Sequence, residues 1–265
     1  MKPIIRWAGS KRKLLSPLEE MWIQSESKRY VEPFCGSACL FFHIEPESAV
    51  LGDTNEWLIN TYESIKNKPD HVTDRLHTLT RSKKLYNKIR SYHYSRFSSI
   101  NSAAYFLYIN RLCFNGLFRT NKKQIFNVPY SNIRTGSFPE RNSIRRASSL
   151  LNRCELVRTD FHTTVQENVK KGDFVYLDPP YATNNARIFR QYNSSTFGVE
   201  DIYRLDEALN YIDKLGARFV LSYACADEID FISKKWDTTN VSVQRNIAGF
   251  SNKRKIEKEI ILKNF

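Results

Sequence analysis

Apolar residues in this chain occur as short runs bounded by polar turns, plus one long stretch with helical spacing. Phe174-Val175-Tyr176-Leu177 is a continuous apolar run, and Tyr30 to Glu32, Ala49 to Gly52, Leu156 to Asp160 and Arg218 to Tyr223 follow the same pattern. Runs of this length with β-branched and aromatic residues read as strands buried on both faces, as in a parallel sheet. From about Glu56 to Asn115 the spacing changes. Leu76, Leu79, Leu85 and Ile89, then Ala103, Phe106, Leu107 and Ile109, recur at helical intervals, and no glycine interrupts them. That stretch is predicted to be mostly helical. After Gly116, the polar segment Arg119 to Gln124 and the run Ile125 to Tyr130 predict a loop or small hairpin, and Ser143 to Leu151 resumes a helix. Val199 to Leu215 reads as a helix with Gly216 as its stop. Thr239 to Gln244 and Glu259 to Leu262, joined by the basic stretch Arg245 to Lys258, predict a terminal hairpin. The pattern is therefore α/β, with residues 1–55 and 155–265 forming one discontinuous unit and 56–154 an inserted, mostly helical one.

Two strand ends carry chemistry. Tyr30 to Glu32 leads into the small-residue turn Pro33-Phe34-Cys35-Gly36-Ser37-Ala38, a helix opening at Cys39, and a second strand ending at Asp53. Strand, tight turn, helix, strand and acid make the first half of a Rossmann-like nucleotide site, in which the acid accepts from a ribose about 20 residues after the turn. The turn holds one glycine only, so by itself the signal is weak. The second end is Asp178-Pro179-Pro180-Tyr181, placed where open α/β sheets bind ligands. Two prolines fix φ and remove both N–H donors. What remains is a rigid carbonyl acceptor, a charged acceptor and a flat stacking face. These groups suit an exocyclic amine on a planar base, although a proline-braced turn would use the same residues.

Charge separates the two readings. The chain has 265 residues and a net charge of +13. Between Arg81 and Arg146 lie fourteen basic residues and one acid, Glu140, so this segment carries the whole excess while the remainder balances. Tyr86, Tyr92, Tyr94, Phe97, Tyr105, Tyr108, Phe114 and Phe118 are interleaved with the cations. A neutral body with one basic, aromatic segment fits a nucleic-acid grip better than a solvated face. No run is apolar enough to span a membrane, and the start, Met1 to Arg6, lacks the pattern of a signal peptide. Five cysteines and five histidines show no metal spacing, so reduced thiols and no metal are expected.

Taken in order, Arg6-Trp7-Ala8-Gly9-Ser10-Lys11, Glu32-Pro33-Phe34-Cys35-Gly36, Asp53, Asn115-Gly116-Leu117-Phe118-Arg119, Phe126-Asn127-Val128-Pro129 and Asp178-Pro179-Pro180-Tyr181 resemble the Dam family of DNA N6-adenine methyltransferases, alpha-ordered group. The resemblance covers nearly the whole chain. It implies a Rossmann-like S-adenosylmethionine-dependent methyltransferase fold, with residues 56–154 as the inserted, mostly helical DNA target-recognition domain. It implies that Trp7, Ala8, Gly9 and Lys11 help hold S-adenosylmethionine, that Phe34 and Gly36 form the cofactor turn, that Asp53 binds ribose, and that Asp160 and Phe161 flank the adenine. Asp178, Pro179, Pro180 and Tyr181 become catalytic. Arg6, Asn115, Leu117, Arg119, Asn121, Lys122 and Pro129 become DNA contacts, and Phe114 inserts into the duplex. Two positions depart from the family: Ala38 replaces a second glycine of the turn, and Ile133 replaces an aromatic that touches a target base.

The implied reaction is methyl transfer to adenine N6 in double-stranded DNA, with GATC the first site to consider and S-adenosylhomocysteine the product. The target atom lies inside the duplex, so the base must be flipped out. The implied setting is the cytoplasm of a prokaryote or phage-infected cell, with a cognate restriction endonuclease as a further partner. The same amine chemistry serves RNA adenine or DNA N4-cytosine methylation, and the same fold can serve an inactive DNA-binding regulator.

Overall fold

The computed structural model describes residues 1–133, 135–181, 197–246 and 254–265. Arg134 of the basic segment and the connection between the last two strands, residues 247–253, lie outside these residues. The five expected inner strands form, as β1 (Arg29–Glu32), β2 (Ser48–Gly52), β3 (Cys154–Val157), β4 (Phe174–Leu177) and β5 (Arg218–Ala224). With β6 (Asp237–Asn246) and β7 (Arg254–Lys263) they make one seven-stranded sheet in the order β3-β2-β1-β4-β5-β7-β6. Strands β1 to β5 are parallel, while β7 pairs antiparallel with both β5 and β6. Each terminal strand is ten residues long, longer than its apolar run, because pairing from Asp237↔Lys263 to Asn246↔Arg254 carries the ladder into polar sequence.

One boundary moved for a clear reason. The third strand was expected to run to Asp160 but ends at Val157. Asp160 leaves the sheet to cap the next helix, accepting from the backbone N–H groups of His162 and Thr163. Capping satisfies donors that the first helical turn cannot pair.

Both faces of the sheet are covered, which explains the unbroken apolar runs. Residues alternate between faces with the strand period of two. Tyr30, Leu51, Phe174, Tyr176 and Val220 belong to one buried cluster, and Val31, Val50, Val175, Leu177, Phe219 and Leu221 to the other. The second face is covered by α8 (Phe161–Asn168) and α9 (Val199–Leu215), which ends at Gly216 in a left-handed conformation as expected. The first face is covered by α1 (Leu15–Gln24), α2 (Cys39–Ile44) and α3 (Glu56–Asn67).

The predicted helical stretch is α3, α4 (Pro69–His77), α5 (Lys83–Arg90) and α6 (Ser99–Leu112), followed after an irregular segment by α7 (Arg141–Leu151). Helix starts are chemically marked: Asn55 accepts from Leu58 N at 3.1 Å, Ser82 accepts from Leu85 N at 3.1 Å, and Pro69 opens α4. Trp57 on α3 donates its Nε1–H to Ser102 O on α6 at 3.0 Å. The apolar cluster on the sheet's first face runs on without a break through Trp57 and Tyr62 to Phe106, Tyr108 and Leu151.

Candidate active site and nucleic-acid interface

Strand order reverses between β1 and β4, and these two neighbours hold the two motifs singled out above. Their carboxyl ends therefore define the switch point of the sheet. Four acids stand at or just beyond the ends of four adjacent strands: Asp160 after β3, Asp53 after β2, Glu32 ending β1 and Asp178 after β4. The row is an acceptor-rich edge.

Bonds to β2 hold the turn after β1 in shape. Cys35 N donates to Gly52 O at 2.8 Å, and Gly36 N donates to Asp53 Oδ2 at 3.0 Å. Asp53 Oδ1 also accepts from Asn55 N at 2.9 Å. Burial pushes the Asp53 carboxyl up, and the two backbone donors act the other way. Gly36 has φ +46°, and a Cβ there would lie 2.7 Å from Trp7 Nε1, so the N-terminal segment lies against the turn. Ala38 also has positive φ, +49°, which is why a glycine suits this position in the family. Glu32 is 3% exposed and its Oε2 has no hydrogen-bond partner. Burial pushes its carboxyl well above the usual range.

The second strand end is a charged network. Asp178 Oδ1 accepts from Lys11 Nζ at 2.5 Å and from Ser222 Oγ on β5 at 3.1 Å. Ser222 is in turn bonded to the Tyr176 hydroxyl at 3.0 Å. Tyr181 donates its hydroxyl to Glu259 Oε1 at 3.1 Å, with its ring against Tyr223 at 5.4 Å and Lys11 Nζ 5.6 Å from its centroid. Burial raises the Asp178 carboxyl, and the Lys11 ammonium and Ser222 hydroxyl only partly offset it. Burial would lower Lys11, but Asp178, with Tyr181 and Glu259, more than compensates and leaves it raised. Pro179 is buried and Pro180 exposed.

Trp7, Gly36 and Asp53 come together at the turn after β1, which also carries Phe34, while Lys11 reaches across to Asp178. Ala8 and Gly9 lie exposed between them. Phe34 stacks on Phe161 with centroids 4.9 Å apart. Asp160 is occupied as a helix cap and as the partner of Arg204. Ser222, Tyr176, Glu32 and Glu259 were not singled out from the sequence. Glu259 had one visible signal, an acid leading the apolar run Ile260-Ile261-Leu262.

The expected DNA contacts also converge. Phe114 N donates to Pro129 O at 3.0 Å, and Asn115 takes a left-handed conformation beside it. Arg6 is tied to the same corner by bonds in both directions between its backbone and the Asn110 side chain. Arg119 and Asn127 pair across a small hairpin: Arg119 Nε donates to Asn127 Oδ1 at 2.7 Å, and a bridge joins Thr120 to Phe126. Asn121 organises the tip by accepting from Lys123 N and Ile125 N, and Lys122 is exposed there. Trp7 stacks on Phe118 with centroids 5.7 Å apart, so the hairpin adjoins the cofactor turn. Ile133 is 70% exposed.

Three of the basic residues are neutralised in space. Arg141 pairs with Asp70 and Asp74, Arg145 with Asp70, and Arg146 with Glu45. Arg111 is different: burial lowers its guanidinium, and Arg6, Arg81 and Arg12 lower it further, as expected where cations crowd together. Among the described residues no helix is long and apolar enough to cross a membrane, and no three His, Cys, Asp or Glu side chains group as metal ligands.

Residues 7–247 match the family model described as D12 class N6 adenine-specific DNA methyltransferase. A type II methyltransferase of Lactococcus lactis subsp. cremoris, M1.LlaDCHI, is 31% identical across 100% of this chain and 96% of its own length. A type II methyltransferase of Methanocaldococcus jannaschii, M.MjaIII, is 30% identical over 91% of this chain and 90% of its own length. The retron Ec67 DNA adenine methylase of Escherichia coli is 30% identical over 98% of this chain and 90% of its own length. The chain belongs to the D12 class of N6 adenine-specific DNA methyltransferases. It is therefore an enzyme with a Rossmann-like α/β fold, and its class sets aside the inactive regulator and the RNA and cytosine alternatives.

Proposed function

We propose that this chain methylates adenine N6 within a short site in double-stranded DNA, using S-adenosylmethionine and a base flipped out of the helix. The observation that carries this reading is the meeting of the Gly36 turn and Asp178 at the ends of neighbouring strands β1 and β4. The edge suits the cofactor chemically. Its acids would face a ligand that carries a sulfonium, an ammonium and a ribose, and among the described residues Glu32 Oε2 is buried without a hydrogen-bond partner, so a polar ligand group there would satisfy it. Asp53 would accept from the ribose, Trp7 and Phe34 would border the ligand, and Asp160 and Phe161 close the adenine end. Bound there, S-adenosylmethionine supplies a methyl group already activated on sulfur.

The chain's own residues do the rest. The target amine is a poor nucleophile because its lone pair is delocalised into the ring. Donating one N–H to Asp178 and one to the Pro179 carbonyl favours a localised lone pair aimed at the methyl. Asp178 then stabilises the positive charge that develops on nitrogen. Ser222 and Lys11 hold the carboxylate in place before the amine arrives. Tyr181 offers the stacking face, worth on the order of 1–3 kcal/mol for an unstacked base.

Residues 56–154 act as the target-recognition domain. Phe114 wedges into the duplex, Arg6, Asn115, Leu117, Arg119, Asn121 and Pro129 face the site, and Lys122 grips phosphate. The cation group around Arg111 is a natural place for backbone phosphate. GATC is the site to test first. Methylation-aware sequencing of DNA from cells expressing the chain reads base, site and activity together, and unmodified adenine throughout would refute the assignment.

Two substitutions test the parts. Gly36→Ala forces a side chain into left-handed backbone and against the Trp7 ring. The backbone alone costs about 1–2 kcal/mol, so S-adenosylmethionine affinity measured by calorimetry should fall about tenfold or more. Arg119→Ala removes a fork that can bond both major-groove acceptors of guanine, worth about 1–3 kcal/mol of discrimination. Methylation of the cognate site against every single-base variant should show relaxed selectivity at one guanine, while Lys122→Ala lowers all rates alike. An equal loss at every site for Arg119→Ala would place that residue among the phosphate contacts.

A further inference from the structure

The fold places one buried acid where no sequence motif pointed. Glu259 sits on β7, opposite Ala224 of β5 and Val241 of β6, and is 1% exposed. Strand β7 is continuous with the apolar core through Ile260, Ile261 and Leu262. A carboxylate in such a place is costly unless it is bonded. Its Oε1 accepts the Tyr181 hydroxyl at 3.1 Å.

We propose that Glu259 is a positioning residue, which fixes the long axis of the Tyr181 ring within the slot formed by Tyr223 and Lys11, so that the flipped adenine stacks with its amine facing Asp178. The proposal rests on the function proposed above. Tyr181 follows two prolines at the end of β4, so its backbone is stiff, but its ring can still turn about two side-chain bonds. Among the described residues, three contacts limit that rotation. Tyr223 packs edge-on at 76°, Lys11 lies over the ring, and Glu259 holds the hydroxyl at the far end. The first two define a slot, and only the third is directional, because a hydrogen bond to a buried carboxylate fixes the oxygen. Lys11 also ties this half of the site to Asp178, so the stacking face and the amine acceptor are held in one frame. The frame spans four parts of the chain that are far apart in sequence.

Small misplacements in such a frame are expensive. A shift of about 1 Å can cost about 100-fold in rate. Glu259→Leu keeps much of the volume without an acceptor, and should lower the single-turnover rate about 10- to 100-fold. S-adenosylmethionine affinity and the thermal midpoint should change little. Glu259→Gln keeps an acceptor carbonyl and should restore the rate to within about threefold, since a neutral acceptor makes a weaker bond than a charged one.

The decisive measurement is a double-mutant cycle with Tyr181→Phe. If Glu259 acts through the hydroxyl, adding Glu259→Leu to the Tyr181→Phe enzyme should cost less than about twofold more. Effects that multiply in full would overturn the proposal, and so would a folded Glu259→Gln enzyme as slow as the Leu variant. A second readout needs no turnover. In protein labelled with 13C-tyrosine, the Tyr181 Cζ resonance should move in Glu259→Leu and nearly hold its place in Glu259→Gln. An unmoved resonance in the Leu variant overturns the proposal even if the enzyme is active. A wild-type chain that methylates no adenine, yet shows the resonance shift, refutes the functional reading and leaves the contact standing.

Discussion

Asp178→Ala lowers methyl transfer by about 10³-fold or more, the scale of losing a group that stabilises transition-state charge in a water-poor site. Cofactor affinity should change little, because Asp178 is proposed to meet the target amine. The substitution also leaves Lys11, almost fully buried, without its carboxylate. Breaking a buried pair by removing one partner can cost about 3–5 kcal/mol. Folding must therefore be measured alongside the rate, and Asp178→Asn serves as the companion because it keeps the size and an acceptor oxygen. Near-normal turnover in either folded variant would overturn the catalytic role. The pH profile gives a further check. Burial raises the Asp178 carboxyl, against the opposing pull of Lys11 and Ser222, so it protonates at higher pH than an exposed aspartate. On the proposed mechanism, protonation would remove the charge that stabilises the amine. The rate should therefore fall on the acid side, at a higher pH than an unperturbed aspartate would give.

DNA affinity should drop about 10³-fold between 50 and 200 mM salt, as expected for about six neutralised phosphates and a log–log slope of roughly −5. The sequence places the whole net charge between Arg81 and Arg146. The structure refines that footprint. Arg141, Arg145 and Arg146 are matched by Asp70, Asp74 and Glu45, so α7 contributes less to the grip than its composition implies. The proposed grip then falls to the cations of the hairpin at Arg119 to Asn127 and of the corner where Arg6 bonds to Arg111 O. Equilibrium titrations of a short duplex across that salt range measure the slope. A slope near zero would show that this segment does not hold the DNA backbone.

The two results also separate two kinds of residue. Asp178 stands at the end of an inner strand, where Lys11 and Ser222 fix it. Cations such as Lys122 and Lys123 stand exposed at the hairpin tip, where they stay hydrated and sensitive to salt. The reaction centre should therefore respond to pH and to isosteric change, and the grip to ionic strength.

The sequence by itself determined which segments are strands and helices, and which residue types carry the chemistry. Apolar runs such as Phe174 to Leu177 specify buried strands because both faces of the sheet are covered, and that requirement is local to the run. Gly216 ends α9 as read, because a left-handed residue closes a helix whatever surrounds it. The Gly36 turn and Asp178-Pro179-Pro180-Tyr181 were legible for the same reason: each is a continuous stretch whose spacing is its function.

Only the tertiary structure decided what lies between those stretches. Sheet order is a property of pairing between distant segments, and no local signal states that β7 lies between β5 and β6. That insertion brings Glu259 to Tyr181, and the N-terminal segment brings Lys11 to Asp178 across 167 positions of sequence. Asp160 read as a strand end and became a helix cap, because the orphan donors of α8 bind its carboxylate more favourably than the strand holds its backbone. The basic segment read as a single charge block, and folding paired one end of it with acids from α4 and Glu45. Composition counts charges along the chain, whereas the field that DNA meets depends on which of them lie within a few ångströms of an opposite charge.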